Sequence, residues 1–315
     1  MTGNLLNGQR VSKAQQDKLL KSGGENQTCV IDSVCEGVQR ILAPNPKDYT
    51  GTGTNTYVVG AEKVWVIDPG PAEIRHVDAV LAAVDGRQVE GICVTHTHLD
   101  HSPAATLLKQ ETGSKTYGFG ALSPDIFALT SEDVDCSFVP DVILPDRRTL
   151  GSGDWCLQAL HTPGHFPNHM CYLLPQQGIL FSGDHVMGWS TTVIVPPLGS
   201  LLDYMDSLNV LEQCNANIML PSHGEIVEAP NTRIDEVRQH RKMRHEQVRA
   251  CLKTGITEPS AIVGQIYEDL PPRLIEAAQG SVMAHIEVLD METEAASKNG
   301  SGLCLTGSTL LGFPV

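Results

Sequence analysis

The sequence predicts an α/β domain followed by a smaller, mainly helical domain. Short apolar runs bounded by glycine and proline, such as 56–60 (TYVVG) and 178–182 (GILFS), recur up to about residue 230 and alternate with helical stretches. Beyond that point the pattern is mainly helical and rich in charged residues. A chain of 315 residues, 41% of them hydrophobic, can bury one large core and a small attached one.

The first well-defined elements place a carboxylate at the end of a strand. The runs 56–60 and 63–68 (KVWVID) surround Gly60–Ala61, which is typical of a β-hairpin. The second run ends at Asp68-Pro69-Gly70, whose composition favours a turn. Asp68 is therefore expected where a buried strand ends.

Two later strands are also followed by polar residues. The run 91–95 (GICVT) predicts a strand that leads into a loop of histidines and aspartate, and Ser102-Pro103 then favours the start of a helix. The run 178–182 ends at Gly183-Asp184. The chain thus delivers a second acidic residue to the end of a buried strand.

The C-terminal elements are predicted as helices. Residues 232–253 place apolar positions among many charges, and helical segments near 259–268 and 272–290 follow. The predicted organisation is a polar N-terminal extension (1–28), a main α/β domain (29–230), a helical domain (231–293) and a Gly/Ser-rich tail (294–315).

Composition and charge argue against several classes of protein. No apolar run approaches the ~18 residues of a membrane span, and residues 1–28 contain no apolar stretch typical of a secretory signal. The 9 cysteines are scattered and form no CxxC pair, as expected of reduced thiols. We therefore expect a cytoplasmic protein without a membrane partner. The net charge of −15 disfavours long-range attraction to nucleic acid.

Four side chains that can bind metal lie within residues 96–101 (HTHLDH), directly after an apolar strand. Burying so many adjacent polar groups without partners would be costly, which disfavours a purely structural role. His96 and His98, two positions apart, can point to one side, while Asp100 and His101 reach a second position. The spacing therefore predicts two metal sites.

Each metal needs further ligands from other loops at the same edge of the sheet. Three candidates follow apolar runs in chain order: His165 in HTPGH, Asp184 in FSGDH and His223 in PSHG. Each is a weak signal alone, but together they complete two coordination shells.

In these motifs the sequence resembles the metallo-β-lactamase superfamily of binuclear hydrolases, and most of all its β-lactamase-like protein 2 branch. The resemblance covers about residues 36–290. The motifs, in family order, are GTGTNTYVVG (51–60), VIDPG (66–70), THTHLDH (95–101), HTPGH (161–165), FSGDHVMGWSTT (181–192), DYMDSL (203–208) and PSHG (221–224). The resemblance implies a four-layer αβ/βα sandwich, with the active site at the shared edge of its two sheets and a winged-helix-like C-terminal domain.

The resemblance also implies the ligand set. One metal would be held by His96, His98 and His165, the other by Asp100, His101 and His223, and Asp184 would bridge them. Two zinc ions suit these imidazole and carboxylate ligands best, and manganese and iron stay open. Two cations that share a water lower its pKa, so a bridging hydroxide is the expected nucleophile and Asp100 its expected proton acceptor.

Four neighbouring residues each allow a functional role. Asp68 either orients a ligand histidine, as the resemblance suggests, or caps its turn. Asn55 either donates a hydrogen bond to a substrate oxyanion or serves a turn. His169 either protonates a leaving group or is structural, and His185 is expected to lie behind the ligands.

Hydrolysis of a small-molecule ester, thioester or lactone is the favoured function. The lack of an export signal disfavours a secreted β-lactamase. A single-strand endoribonuclease is the main alternative, although the net charge of −15 opposes extended contacts with RNA. The basic stretch 233–253 is either a solvated helix of mixed charge or a strip that follows an RNA backbone.

A third hypothesis is a non-catalytic sensor that binds nucleic acid through the C-terminal domain. Arg273 is the only Lys or Arg of the last predicted helix, which also carries several acidic residues. Such a helix would repel phosphates, so this hypothesis is disfavoured. The expected partner is a small-molecule substrate, and a homodimer stays open.

Overall fold

The computed structural model of the chain describes residues 4–6, 9–11, 29–127, 133–298 and 311. Most of the predicted N-terminal extension and of the predicted tail lies outside these residues. Within the extension, two short strands, β1 (Asn4–Leu6) and β2 (Gln9–Val11), pair antiparallel.

The first large sheet has seven strands among the described residues, arranged in chain order. They are β3 (Val30–Cys35), β4 (Val38–Leu42), β5 (Asn55–Val59), β6 (Lys63–Ile67), β7 (Gln88–Cys93), β8 (Thr116–Gly118) and β9 (Val142–Ile143). Strands β3 to β6 pair antiparallel, and β7 to β9 are added in parallel. The predicted hairpin is confirmed at β5 and β6. A Cβ at Gly60 would lie 2.0 Å from the carbonyl oxygen of Lys63, so this turn requires glycine.

The second large sheet has five strands within the described part of the chain. They are β10 (Thr149–Leu150), β11 (Leu157–His161), β12 (Met170–Leu174), β13 (Ile179–Gly183) and β14 (Ile218–Pro221). Strands β10 to β13 pair antiparallel, whereas β14 lies parallel to β13. Because β13 and β14 are parallel, the loops that follow them leave the sheet at one edge.

The helices of the described residues include those that cover the outer faces of the two sheets and those of the C-terminal part. They are α1 (Ile74–Val84), α2 (Ala104–Thr112), α3 (Pro124–Phe127), α4 (Leu201–Gln213), α5 (Pro230–Lys253), α6 (Pro259–Ile266) and α7 (Ile275–Lys298). Helices α1 and α2 pack on the first sheet, and α4 and α5 pack on the second. The inner faces of the two sheets meet in a core that contains Tyr57, Tyr172 and Phe181. The predicted four-layer arrangement is confirmed.

The C-terminal helices build a small core of their own. Val248 and Cys251 of α5 pack with Ile262 of α6 and Val282 of α7. The predicted helix over 272–290 begins later and ends later, because α7 spans Ile275–Lys298. It therefore extends into the segment that the sequence analysis assigns to the tail.

Candidate metal centre

The ends of several strands converge at one edge of the two sheets. The loop 96–101 follows β7, His165 lies in the turn between β11 and β12, Asp184 follows β13 and His223 follows β14. Because parallel strands end at the same edge, residues distant in sequence become neighbours there. This edge is the one that the spacing of the motifs predicts.

The structure brings all seven predicted ligand residues together. Their ligand atoms form three groups, and within each group these atoms lie within 4.8 Å of one another. The groups are His96, His98 and His165; His96, His101 and Asp184; and Asp100, His101 and His223. The first and third groups have the same members as the two predicted three-residue metal sites.

Asp184 lies between the two sides of the cluster. Its Oδ2 is 3.5 Å from Nε2 of His101 and 3.7 Å from Nε2 of His165. Its Oδ1 is 3.3 Å from Nε2 of His223. The second carboxylate, Asp100, has its Oδ2 at 3.2 Å from the same nitrogen of His223. One carboxylate thus faces histidines of both predicted sites.

Burial and mutual charge strongly shift the pKa values of the cluster. Burial raises the pKa of Asp100 and Asp184, but the adjacent His101 and His223 outweigh it and hold both pKa values well below the usual range. Burial lowers the pKa of His223, but Asp184 and Asp100 outweigh it and raise this pKa to about 10. For His96, burial and the neighbouring imidazoles lower the pKa well below its usual value. The carboxylates are therefore ionised at neutral pH.

The cluster fits a metal ion. Nε2 of His101 and Oδ1 of Asp184 are buried, and neither forms a hydrogen bond with any described residue. Buried polar atoms usually have a partner, and a cation provides one for an imidazole nitrogen and a carboxylate oxygen. Imidazole and carboxylate together are ligands for zinc and for related divalent metals. The described residues can thus hold metal at this edge.

Three of the histidines are oriented through their other ring nitrogen. Nδ1 of His165 lies 2.7 Å from the carbonyl oxygen of Val193, and Nδ1 of His223 lies 3.1 Å from that of Gly53. Nδ1 of His101 lies 3.0 Å from Oδ2 of Asp68. An acceptor at Nδ1 fixes the proton there and leaves Nε2 as the nitrogen that faces the centre.

Asp68 contacts both a ligand and its loop. The side chain is fully buried and accepts hydrogen bonds from the backbone N–H and the hydroxyl of Thr95, each at 2.8 Å. It also accepts one from the hydroxyl of Ser222 at 2.6 Å. Of its two predicted roles, the contacts with His101 and with both neighbouring loops match the orienting one.

Asn55 differs from both predicted roles. It is the first residue of β5, not a turn residue, and its Nδ2 donates to the carbonyl oxygens of Pro221 and Gly224, each at 3.0 Å. Both amide hydrogens are used, because an amide nitrogen carries only two. Asn55 therefore fastens the loop that carries His223 and has no hydrogen left for a substrate oxyanion.

His169 and His185 lie behind the ligands. His169 is fully buried, its Nε2 accepts from the backbone N–H of Asp184 at 3.1 Å, and its Nδ1 contacts the hydroxyl of Thr162 at 2.9 Å. With both ring nitrogens occupied, it is not placed to protonate a leaving group. His185 stacks near Tyr204 and its Nε2 contacts that residue's carbonyl oxygen at 3.2 Å. Burial lowers the pKa of His185 to about 3, so it is neutral.

Several further residues support the ligands and were not predicted from the sequence. The hydroxyl of Thr54 donates to Oδ2 of Asp100 at 3.0 Å, and Ser222 contacts Asp68 as described. Thr54 precedes Asn55 in the motif GTGTNTYVVG, and Ser222 precedes His223 in PSHG. Their positions in these motifs could have indicated that they support the site. Val193 supports His165 through a backbone carbonyl, which every residue type offers, and the sequence gives no signal for it.

Two exposed apolar side chains lie at the rim of the centre. Leu99, next to Asp100, is 45% exposed, and Trp189 is 48% exposed. A Cβ at Gly224 would lie 2.6 Å from Cδ1 of Trp189, and one at Gly51 would lie 3.3 Å from its ring. The indole thus rests on the backbone of two glycines, beside the loop that carries His223.

Comparison with known proteins gives two family matches. Residues 49–223 match the family model of the metallo-beta-lactamase superfamily. Residues 259–300 match the beta-lactamase associated winged helix domain. The two matches fall on the sandwich and on the C-terminal helices, respectively. Among the described residues, none of the helices combines the length and the apolar composition of a membrane-spanning segment.

Three curated relatives match most of the chain. Lactamase-like protein adaB of Aspergillus niger is 30% identical, and the match covers 82% of this chain and 77% of the relative. The Beta-lactamase-like protein 2 homolog of Caenorhabditis elegans is 30% identical over 80% of this chain and 83% of its own length. The Atrochrysone carboxyl ACP thioesterase of Aspergillus fumigatus is 28% identical over 81% and 78%, respectively.

A solved structure supports the fold. A beta-lactamase domain protein from Burkholderia ambifaria superimposes with a TM-score of 0.67 at 23% identity. The match covers 87% of this chain and 92% of that one. At this identity the likeness concerns the fold.

Proposed function

The chain belongs to the metallo-beta-lactamase superfamily of hydrolases, and we propose that it binds two zinc ions and cleaves an ester, thioester or lactone of a small molecule. The position of Asp184 carries this proposal. Its Oδ2 faces His165 of one predicted site and His101 of the other, and its Oδ1 faces His223 of that second site, as expected of a residue shared by two ions.

The first and third groups of ligand atoms would each hold one ion, and Asp184 of the second group would be shared. One ion would be held by His96, His98 and His165, the other by Asp100, His101 and His223, and Asp184 would contact both. Two cations held in this way lower the pKa of water and stabilise negative charge on a reacting oxygen.

Two side chains, Asp100 and Asp68, are proposed to assist the reaction. The Asp100 side chain is 24% exposed, more than that of Asp184 at 11%, so it is the more accessible of the two carboxylates to a substrate that approaches from solvent. The hydroxyl of Thr54 holds its Oδ2 in place. Asp100 is therefore proposed to accept the proton that the nucleophile releases. Asp68 is proposed to keep His101 in the tautomer that presents Nε2.

The rim supports an acyl substrate over a polyanion. The rim segments 49–53, 98–101 and 187–193 contain no lysine or arginine. The two arginines bound to the last segment, Arg233 and Arg241, donate to its backbone carbonyls, and Arg233 also donates to Glu236. Phosphate backbones are bound mainly by such cations, whereas apolar side chains such as Leu99 and Trp189 suit a hydrophobic acyl group. The thioesterase named among the relatives supports the same class of bond.

The basic stretch 233–253 does not favour the endoribonuclease alternative. Each of its five arginines donates to an acceptor within the chain. Arg238, for example, contacts Glu212 at 2.8 Å, and Arg249 contacts Glu292 at 3.0 Å. The sensor alternative has equally little support, because the side chain of Arg273 pairs with Asp48 at 2.6 Å.

A substrate panel tests the proposal. Zinc-loaded protein would be assayed at matched salt against thioesters, esters, lactones and short single-stranded RNA, with chelated protein as the control. We expect about two zinc ions per chain and faster cleavage of a thioester or ester than of RNA. Faster RNA cleavage would favour the endoribonuclease, and tight binding of nucleic acid without any hydrolysis would favour the sensor.

A further inference from the structure

Two arginines of α5 reach across to the segment 187–193 at the rim of the metal centre. We propose that Arg233 and Arg241 are positioning residues, which hold this segment and through it two of the proposed metal ligands, His165 and Asp184. The inference rests on the proposed function, because it gives the C-terminal helix a part in shaping that site.

Arg241 makes a buried contact with the segment 187–193. Its side chain is buried, with only 3% of the residue exposed, although arginine is seldom fully buried without a partner. Nη2 donates a hydrogen bond to the carbonyl oxygen of Thr192, and the guanidinium lies over the ring of Tyr204 at 5.1 Å from its centroid. A charged donor to a buried carbonyl makes a strong hydrogen bond, so this contact fixes the backbone at residue 192.

Thr192 and its neighbour connect this arginine to the metal centre. The Thr192 hydroxyl donates to the carbonyl oxygens of Asp184 at 2.6 Å and His185 at 3.0 Å. The next residue, Val193, presents its carbonyl oxygen to Nδ1 of His165 at 2.7 Å. Any shift of the backbone at 192–193 therefore moves the supports of two proposed ligands.

Arg233 holds the other part of the same segment. Its Nε donates to the carbonyl oxygen of Met187 at 3.1 Å, and its Nη2 donates to that of Ser190 at 2.7 Å. These carbonyls flank Trp189, the exposed aromatic residue of the rim. The segment forms no helix or strand, so its carbonyls depend on side-chain donors such as these.

The other arginines of α5 provide a matched control. Arg249 lies on the same helix, and its guanidinium contacts Glu292 at 3.0 Å and Glu246 at 3.4 Å. Both partners belong to the C-terminal helices, and no described contact of Arg249 reaches the segment 187–193. Replacing it removes the same charge from the same helix without touching the loop.

Two measurements on the full-length protein test the inference. The variants are Arg241→Met, Arg241→Lys and Arg233→Met, with Arg249→Met as the control. Hydrogen–deuterium exchange of the segment 187–193 would be followed in metal-free protein, and zinc affinity would be measured by competition with a chelator of known affinity. Residues that support metal ligands typically contribute about 10- to 100-fold to metal affinity, so we expect a loss of at least about tenfold for Arg241→Met.

We expect faster exchange in the segment for Arg241→Met and Arg233→Met, partial recovery for Arg241→Lys and wild-type behaviour for Arg249→Met. Unchanged exchange in the segment would overturn the inference, and so would faster exchange without any loss of zinc affinity. If Arg241→Met does not fold, Arg233→Met against Arg249→Met decides the question by the same criteria. A wild-type protein that binds no zinc would instead refute the proposed function.

Discussion

Replacing Asp68 by asparagine removes one negative charge from behind the metal centre without changing the size of the side chain. The carboxylate accepts four hydrogen bonds, two from Thr95, one from Ser222 and one from Nδ1 of His101. An asparagine oxygen can keep the bond from the Thr95 backbone, and its NH2 group then occupies the place of Oδ2. The remaining three partners now face a donor.

The loss of zinc affinity expected for Asp68→Asn depends on which hydrogen-bond partners of this side chain can accept a hydrogen bond instead of donating one. The hydroxyls of Thr95 and Ser222 can rotate and accept, because a hydroxyl both donates and accepts. His101 can accept at Nδ1 only if its proton moves to Nε2, the nitrogen that faces Asp100 and Asp184. A hydrogen bond to a charged group contributes about 1.5–3 kcal/mol. Loss of this contribution from the metal-binding tautomer corresponds to about 10- to 150-fold weaker zinc binding.

Chelator competition measures zinc affinity in the wild type and in Asp68→Asn, and circular dichroism checks the fold. Asp135→Asn is the matched control, because that buried carboxylate accepts hydrogen bonds from Ser102 and Ser137 and forms none with a histidine of the described residues. We expect the control to bind zinc nearly as the wild type does. Equal zinc affinity of Asp68→Asn and Asp135→Asn would refute the role assigned to the contact with His101.

Three further predictions concern other residues. Asp184→Ala should abolish turnover and keep the circular dichroism spectrum, and near-normal activity would contradict its shared position. Burial lowers the pKa of His76 to about 4, because the folded protein favours the neutral imidazole. The contribution of His76 to the free energy of unfolding is therefore complete above pH ~6.5 and is lost as the pH falls towards 4. Between pH 7 and 4 the free energy of unfolding should therefore fall further in the wild type than in His76→Asn. The expected difference between the two falls is up to about 3 kcal/mol, measured by denaturant titration. Trp189→Ala should raise KM for long-chain acyl substrates more than it lowers kcat, and an unchanged KM would exclude contact between the acyl group and the indole.

The candidate metal ligands could be recognised in the sequence because their chemistry is carried by residue type. A single histidine or aspartate at the end of an apolar run is a weak signal, but the loop 96–101 and three further residues of this kind together indicate metal sites, and parallel strands bring such residues to one edge. All seven predicted ligands lie together in the structure. The hairpin at Gly60 was predictable for a similar reason, since its backbone geometry excludes side chains.

The supports of the ligands were harder to predict. Val193 acts through a backbone carbonyl, and Arg241 reaches Thr192 across 49 positions of sequence, so neither has a local signature. Asn55 could be recognised as special, but only the fold shows that the carbonyls of the 221–224 loop take both of its amide hydrogens. The prediction ends the last helix near residue 290, but α7 continues to Lys298. The residues between these positions include alanine and glutamate, which favour a helix.

The boundary near residue 230 lies between the two family matches, but side chains from both sides of it pack in one hydrophobic core. Ile234 and Val237 of α5 are buried in the same core as Leu160 and Leu180 of the second sheet. The apolar face of this helix thus completes the sandwich, while its arginines hold the loop beside the metal centre. Because one helix contributes to both the core and the loop, movement of the C-terminal helices would change the geometry of the site. Helix α5 is therefore part of the packing of the sandwich as well as of the C-terminal domain.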